Sequence, residues 1–214
     1  MIKANYSYIA IDGIIGTGKT HLTKLLSEKL NANPIFEDFD KNPFLEQFYS
    51  NPKQFALSTQ LFFLLSRYQQ LANISQTDLF HSCTISDYDF SKNTIFASVT
   101  LNEQEMSLYF NIVNLMKDNI LEPDLILLLQ ADMGLLLSRI KNRGISYEKG
   151  ITDEYLRLLN DAYNKHYFLV TETPVMVINV TNLEFSKNSP DLLWLHNEIR
   201  KPFQGIKYVN PIKS

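Results

Sequence analysis

Near the start of the chain, glycine, lysine and threonine recur in a short octet: Gly13, Ile14, Ile15, Gly16, Thr17, Gly18, Lys19 and Thr20. The spacing is G-x-x-x-x-G-K-[ST], and the chemistry it suits is holding a phosphate chain. Glycines let backbone N–H groups converge on phosphate oxygens, and the start of a following helix adds partial positive charge. Lys19 can then reach the β and γ phosphates, and Thr20 can ligate Mg²⁺. The plain alternative is an ordinary glycine turn before a helix. A complete octet in the right context outweighs it, so the ligand is read as a nucleoside triphosphate.

That context comes from the flanking residues. Tyr6 to Ile11 is a short apolar run entering the turn, and "GKTHLTKLLSEKL" after it repeats leucine at helical spacing, which predicts strand, loop, helix. Pro34 to Phe36, Cys83 to Ser86, Asp124 to Gln130 and "PVMVINV" (174–180) supply four further strands, and "DLILLLQ" is the unbroken apolar run of a parallel central strand. Helices are predicted over Phe55 to Leu71, over "EQEMSLYFNIVNLMKDNI" behind an Asn102/Glu105 capping box, over Leu135 to Asn142 stopping near Gly144, and over Asp153 to Val170. Alternating strands and helices imply an α/β fold with a parallel five-stranded sheet covered on both faces. Residues 1–200 are read as a single domain and 201–214 as an irregular tail.

The 214 residues and 45% hydrophobic content suit one such domain. Lys and Arg number 20 against 23 Asp and Glu, so a net charge of -3 offers no field for nucleic acid. Cys83 is the single cysteine, which excludes an intrachain disulfide or a cysteine-based zinc site and fits a reducing cytoplasm. No run approaches the ~18 apolar residues of a membrane span, and the polar N-terminus does not read as a signal peptide. A soluble cytoplasmic protein is expected.

The phosphate acceptor is narrowed first by exclusion. The "NK" of Asn164-Lys165 continues as His166-Tyr167, and Asp87 is followed by Tyr-Asp-Phe, so neither guanine-reading N-K-x-D nor D-x-x-G of a GTPase is present. A small-molecule kinase remains. The segments "FEDFDKNPFLEQFY", "TQLFFLLSRYQQL", "SDYDFSKNTIFA" and "RIKNRGISYEKGI", in order around the octet, resemble the deoxynucleoside kinase family, in particular its bacterial deoxyguanosine and deoxyadenosine kinases. The similarity runs from about Ile9 to Val180. It implies a three-layer P-loop kinase fold with a short lid at about 139–151, ATP and Mg²⁺ as cofactors, and phosphorylation of a nucleoside 5′-hydroxyl.

Site residues follow from the same resemblance. Glu37 matches the family's general base, a role in which a carboxylate takes the proton of the attacking alcohol. Asp87 matches the acid that assists Mg²⁺, with Thr20 as the other metal ligand; Tyr88 replaces the arginine beside it, and Lys92 either supplies that charge or is simply solvated. Arg139 and Arg143, four apart, match lid arginines that close on the phosphate with Lys19, or else merely favour a helix C-terminus. Ile145 stands where relatives often carry a third arginine.

Gln60 and Arg67 are polar interruptions of an apolar helix face and match the base-reading pair; arginine suits the O6 and N7 acceptors of guanine. Phe96 matches a base-stacking residue, core packing being its alternative. Tyr49 and Glu148 match the pair on the sugar 3′-hydroxyl. The expected reaction is ATP-dependent phosphorylation of deoxyguanosine. Alternatives are a deoxyadenosine or broad-specificity kinase, or a weakly catalytic nucleotide-binding partner subunit. Excess apolar surface on the helices at Phe55 and Glu103, including Met106, Leu108 and Phe110, together with the family likeness, implies a homodimer or a heterodimer with a paralogue.

Overall fold

The computed structural model describes residues 6–74, 83–169 and 172–210. Its centre is a sheet of six parallel strands: β1 (Tyr8–Gly13), β2 (Asn33–Ile35), β3 (Thr84–Ser86), β4 (Leu125–Gln130), β5 (Val175–Asn179) and β6 (Ile206–Val209), in the order β2-β3-β1-β4-β5-β6. Five strands were expected. The sixth lies within residues expected to form an irregular tail, of which 211–214 are outside the described residues. At the sheet edge β6 pairs with β5 and leaves the apolar Ile206 and Tyr208 exposed while Lys207 and Val209 turn inward, so its four residues show no apolar-polar alternation that matches their burial.

Side chains alternate across the strands and divide the core into two layers. Ile9, Ile11, Leu125, Leu127, Leu129, Met176 and Ile178 face one way, against Leu22 and Leu26 of α1 (Lys19–Leu30) and Leu192, Leu195 and Ile199 of α8 (Pro190–Ile199). Tyr8, Ala10, Ile126, Leu128, Val175 and Val177 face the other way, against Leu71 of α3 (Pro52–Ala72), Ile95 of α4 (Lys92–Thr100), Leu136 of α6 (Met133–Arg143) and Leu159 of α7 (Asp153–Leu169). A sheet covered on both faces explains why β4 reads as a continuous apolar run.

Local signals end the helices as expected. Asn102 accepts from the Glu105 N–H at 3.0 Å and the Glu105 carboxylate accepts from the Asn102 N–H at 3.1 Å, closing the capping box of α5 (Glu103–Lys117). Gly144 caps α6 in the left-handed conformation. The expected end of α7 at Val170 falls outside the described residues. Three α-helices lie beyond those expected: α2 (Leu45–Ser50) and α4, which form part of the site wall, and α8, which starts at a Ser189 cap with Pro190 in its first turn. Among the described residues no helix is long and apolar enough to cross a membrane.

This topology decides where the chemistry sits. The carboxyl ends of β1, β3 and β2 are neighbours, with Ala10 beside Ser86 and Ser86 beside Ile35. The next residues along those strands are the glycine loop, Asp87 and Glu37. In an open parallel sheet this edge is where ligands bind.

Candidate active site

The glycine loop leaves β1 with Gly13 at φ 143°, and Gly16 and Gly18 also have positive φ. A Cβ on Gly13 would sit 2.4 Å from the Leu129 carbonyl oxygen, so β4 itself forbids a side chain there. Gly13→Ala is expected to add about 1–3 kcal/mol of backbone strain and to weaken triphosphate binding roughly tenfold or more. Equilibrium titration with ATP checks this, and wild-type affinity in the variant would show that the loop is no phosphate cradle. Inside the loop, Thr17 Oγ1 donates to the Ile14 carbonyl at 2.9 Å, Lys19 Nζ donates to the same carbonyl at 3.1 Å, and Ile15 faces the cavity described below. Burial lowers the Lys19 ammonium to about 8, helped by Lys92 and opposed by Asp12, Glu37 and Asp87.

Asp87 joins this loop to the second strand. Its Oδ2 accepts from Thr20 Oγ1 at 2.5 Å and its Oδ1 from the Glu37 N–H at 2.8 Å. Burial raises the Asp87 carboxyl, with the Thr20 hydrogen bond working against the rise. Glu37 in turn is held by two cations. Arg67 donates from Nε at 2.8 Å and from Nη2 to Oε1, and Lys92 Nζ donates to Oε2 at 2.6 Å. Burial alone would raise the Glu37 carboxyl, but Arg67 and Lys92 outweigh it and hold the group far below the ordinary carboxylate range.

Lys92 is therefore no solvated lysine: it is 5% exposed and its ammonium also lies 5.5 Å from the centre of the Phe96 ring. It brings a cation to Glu37 five residues after Asp87. Tyr88 is buried, donates its hydroxyl to Gln70 Oε1 at 2.5 Å, and lies beneath the Arg67 guanidinium, which also covers Phe63.

One cavity gathers most of the expected residues: Lys19, Thr20, Glu37, Tyr49, Gln60, Arg67, Asp87, Phe96, Arg143 and Glu148 all line it. Gln60 is 2% exposed, and its Oε1 has no hydrogen-bond partner among the described residues. Arg67 differs from its expected part. Besides Glu37 it donates Nη1 to Asn93 Oδ1 at 2.5 Å, so three of its N–H groups are engaged by the protein. Tyr49 stacks on Tyr147 at 5.8 Å, and Phe96 sets its ring edge-on to Tyr163 at 6.3 Å.

The lid arginines part company. Arg139 donates Nη1 to the Gly16 and Thr17 carbonyls at 3.3 and 3.0 Å, against the glycine loop itself. Arg143 instead pairs with Glu148, through Nε at 3.0 Å and through Nη2. The two guanidiniums, expected on one side of α6, are thus engaged at different places, Arg139 on the glycine loop and Arg143 in the cavity wall. Arg143 is the last residue of α6, and the 3₁₀ turn Ser146–Gly150 brings a buried carboxylate back to it.

Sequence reasoning missed Asn93 and Asp12. Asn93 lies three residues before Phe96 on α4, and recognising that helix would have put both on one face. Asp12 had one signal, an acid directly before the first loop glycine at the end of a buried strand.

Comparison with known proteins agrees with this geometry. The deoxynucleoside kinase family matches residues 9–201. A deoxyguanosine kinase of Bacillus subtilis is 39% identical over 157 residues, covering 73% of this chain and 76% of that protein. A deoxyguanosine kinase of Lactobacillus johnsonii is 31% identical, covering 89% and 90%. The solved structure of deoxyadenosine kinase from M. mycoides with bound dCTP superposes with a TM-score of 0.78 at 27% identity, over 90% of this chain and 98% of that one. A glycine loop, an acid bridging it to the second strand and a carboxylate held by two buried cations in the wall of one cavity, on a chain matched almost end to end, lead to one conclusion: the protein belongs to the deoxynucleoside kinase family and is a deoxynucleoside kinase.

Proposed function

We propose that the enzyme transfers the γ-phosphoryl group of ATP to the 5′-hydroxyl of a purine deoxynucleoside, with deoxyguanosine preferred. The observation that carries this reading is the unpartnered Gln60 carbonyl on the same face of α3 as Arg67. The two lie seven residues apart, about 10 Å along the helix axis, so a purine lying along this face can meet Gln60 with one edge and the two N–H groups that Glu37 and Asn93 leave to Arg67 with another, while its sugar alcohol meets Glu37. A buried polar atom without a partner costs about 1–3 kcal/mol, and a base edge removes that cost. Gln60 serves either purine. The guanidinium of Arg67 favours guanine, whose O6 and N7 both accept, over adenine, whose amino group donates. The names of the relatives support both purines, with deoxyguanosine kinase on the 39% identical one.

In the proposed mechanism the glycine loop and Lys19 hold the triphosphate, and Arg139 braces the loop from α6. Thr20 and Asp87 offer two hard oxygens beside the phosphates, which suits Mg²⁺, an ion that takes one or two protein ligands and completes its shell with phosphate and water. When bound, the ion neutralises charge developing on the transferring group. Glu37 lies across Asp87 from the loop and accepts the 5′-hydroxyl proton as the bond to phosphorus forms. Tyr49 and Glu148 hold the sugar, the latter fixed by Arg143, and Phe96 covers the base. Residues 139–151 act as the lid, and the exposed Leu65, Leu108, Phe110 and Leu115 on α3 and α5 fit a dimer face.

Turnover of ATP with each of the four deoxynucleosides tests the assignment. Deoxyguanosine is expected to exceed deoxyadenosine in kcat/KM by about 10- to 100-fold, the worth of one hydrogen bond to a charged donor. A preference for a pyrimidine would refute the base assignment.

A further inference from the structure

Behind the glycine loop lies a buried acid that the proposed mechanism does not use. Asp12 is the penultimate residue of β1, is fully buried, and accepts three hydrogen bonds. Its Oδ1 accepts from the Gly13 N–H at 2.8 Å and from the Tyr163 hydroxyl at 3.0 Å; its Oδ2 accepts from the Tyr167 hydroxyl at 2.8 Å. The two tyrosines are four residues apart on one face of α7, nearly unexposed, with their rings stacked at 6.1 Å. Both reach towards the acceptor side as well. Tyr167 shares a 3.1 Å hydrogen bond with Ser91 Oγ at the start of α4, and Phe96 on the same helix meets the edge of Tyr163.

A continuous line of contacts thus runs from the first peptide of the phosphate loop to the wall of the acceptor cavity. We propose that Asp12, Tyr163 and Tyr167 are positioning residues for phosphoryl transfer: the tyrosine hydroxyls fix the Asp12 carboxylate, the carboxylate fixes the Gly13 peptide, and the loop is thereby registered against α4. This rests on the reading of the glycine loop as the triphosphate site.

The charge of Asp12 is part of the device. Burial raises its carboxyl to about 6, while Lys92, Lys19 and the Tyr167 hydroxyl draw it down and Asp89 opposes them. Protonation on the acid side therefore takes the charge off the oxygen that accepts from the Gly13 N–H and weakens that hydrogen bond. A folded-state value above the ordinary one also means that the ionised carboxylate lowers folding stability as pH rises through about 4 to 6. A group retained for stability alone would not carry that cost.

The test uses Tyr167→Phe and Asp12→Asn in the full chain, with three readouts: ATP affinity by calorimetry at pH 5.5 and 7.5, the pH profile of kcat/KM for ATP, and thermal melting. In Tyr167→Phe the acid limb is expected to move up by about one pH unit, the worth of one charge-assisted hydrogen bond. ATP binding at pH 5.5 should weaken roughly tenfold more than at pH 7.5, with KM for the deoxynucleoside within about twofold of wild type. Asp12→Asn should alter the acid limb, what is left of it belonging to Asp87, whose carboxyl burial also raises, and should melt no lower than wild type at neutral pH. The proposal is overturned if Tyr167→Phe melts lower yet keeps wild-type ATP affinity at both pH values, or if Asp12→Asn retains the wild-type acid limb. Calorimetry separates the two levels of argument. A wild-type chain that binds no triphosphate removes the reading of the loop and this proposal together, whereas equal binding by wild type and Tyr167→Phe removes this proposal alone.

Discussion

Glu37→Gln is expected to lower kcat by about 10²- to 10⁴-fold, the range for loss of a positioned general base, with ATP affinity unchanged. Glutamine keeps the shape but has a single acceptor oxygen, so it can accept from Arg67 or from Lys92 and not from both, and it cannot take a proton. The wild-type carboxylate is held so acidic by those two cations that it is a weak base towards a resting alcohol. A base of this kind would take its proton late, once the bond to phosphorus has acidified the hydroxyl, which is the order expected for the loose transition state of phosphoryl transfer. Stopped reactions at saturating ATP and deoxynucleoside give kcat, and a binding titration gives the affinity. A variant with kcat within a few fold of wild type would remove Glu37 from the chemistry and leave it a structural partner of Arg67.

Arg67→Met carries the largest expected effect on stability. Arg67 is 2% exposed and holds both Glu37 and Asn93, so its loss strands a buried carboxylate with Lys92 as the remaining cation. Removing one partner of a buried pair costs about 3–5 kcal/mol, and for a chain of this size each kcal/mol lowers Tm by about 2–4 °C. The sign of the pH dependence is fixed by the depressed Glu37 value. A carboxyl lowered in the folded state adds stability above its unfolded pKa and loses it as pH falls towards the folded value. The gap in melting temperature between wild type and Arg67→Met should therefore be widest near neutrality and narrow below the ordinary glutamate range. A gap that does not change with pH would mean that packing against Phe63 and Tyr88, rather than the charge on Glu37, accounts for the loss.

These two residues also mark the boundary between what was legible and what was not. The glycine octet, the unbroken run of β4, the Asn102/Glu105 capping box and the Gly144 stop were readable because each is set by neighbours within a few residues: backbone conformation, periodicity and helix-end hydrogen bonds are local physics. Eight side chains singled out by the resemblance, Glu37, Tyr49, Gln60, Arg67, Asp87, Phe96, Arg143 and Glu148, line one cavity with Lys19 and Thr20 of the octet. Strand β6 was missed because an exposed edge strand of four residues needs no apolar alternation, and only pairing with β5 makes it a strand.

Which charges meet was a different matter. Glu37 finds Arg67 thirty residues on and Lys92 fifty-five on, and Asp12 finds Tyr163 across 151 residues. Arg139 and Arg143 share a helix face yet divide between the glycine loop and Glu148. By itself the sequence determined the phosphate loop and the layered α/β plan, since the residues concerned act on their own stretch of backbone. Only the tertiary structure decided the partners of each buried charge. An ion out of water takes whichever counter-charge the packing brings within reach, and the order of strands in the sheet, rather than distance along the chain, sets that reach.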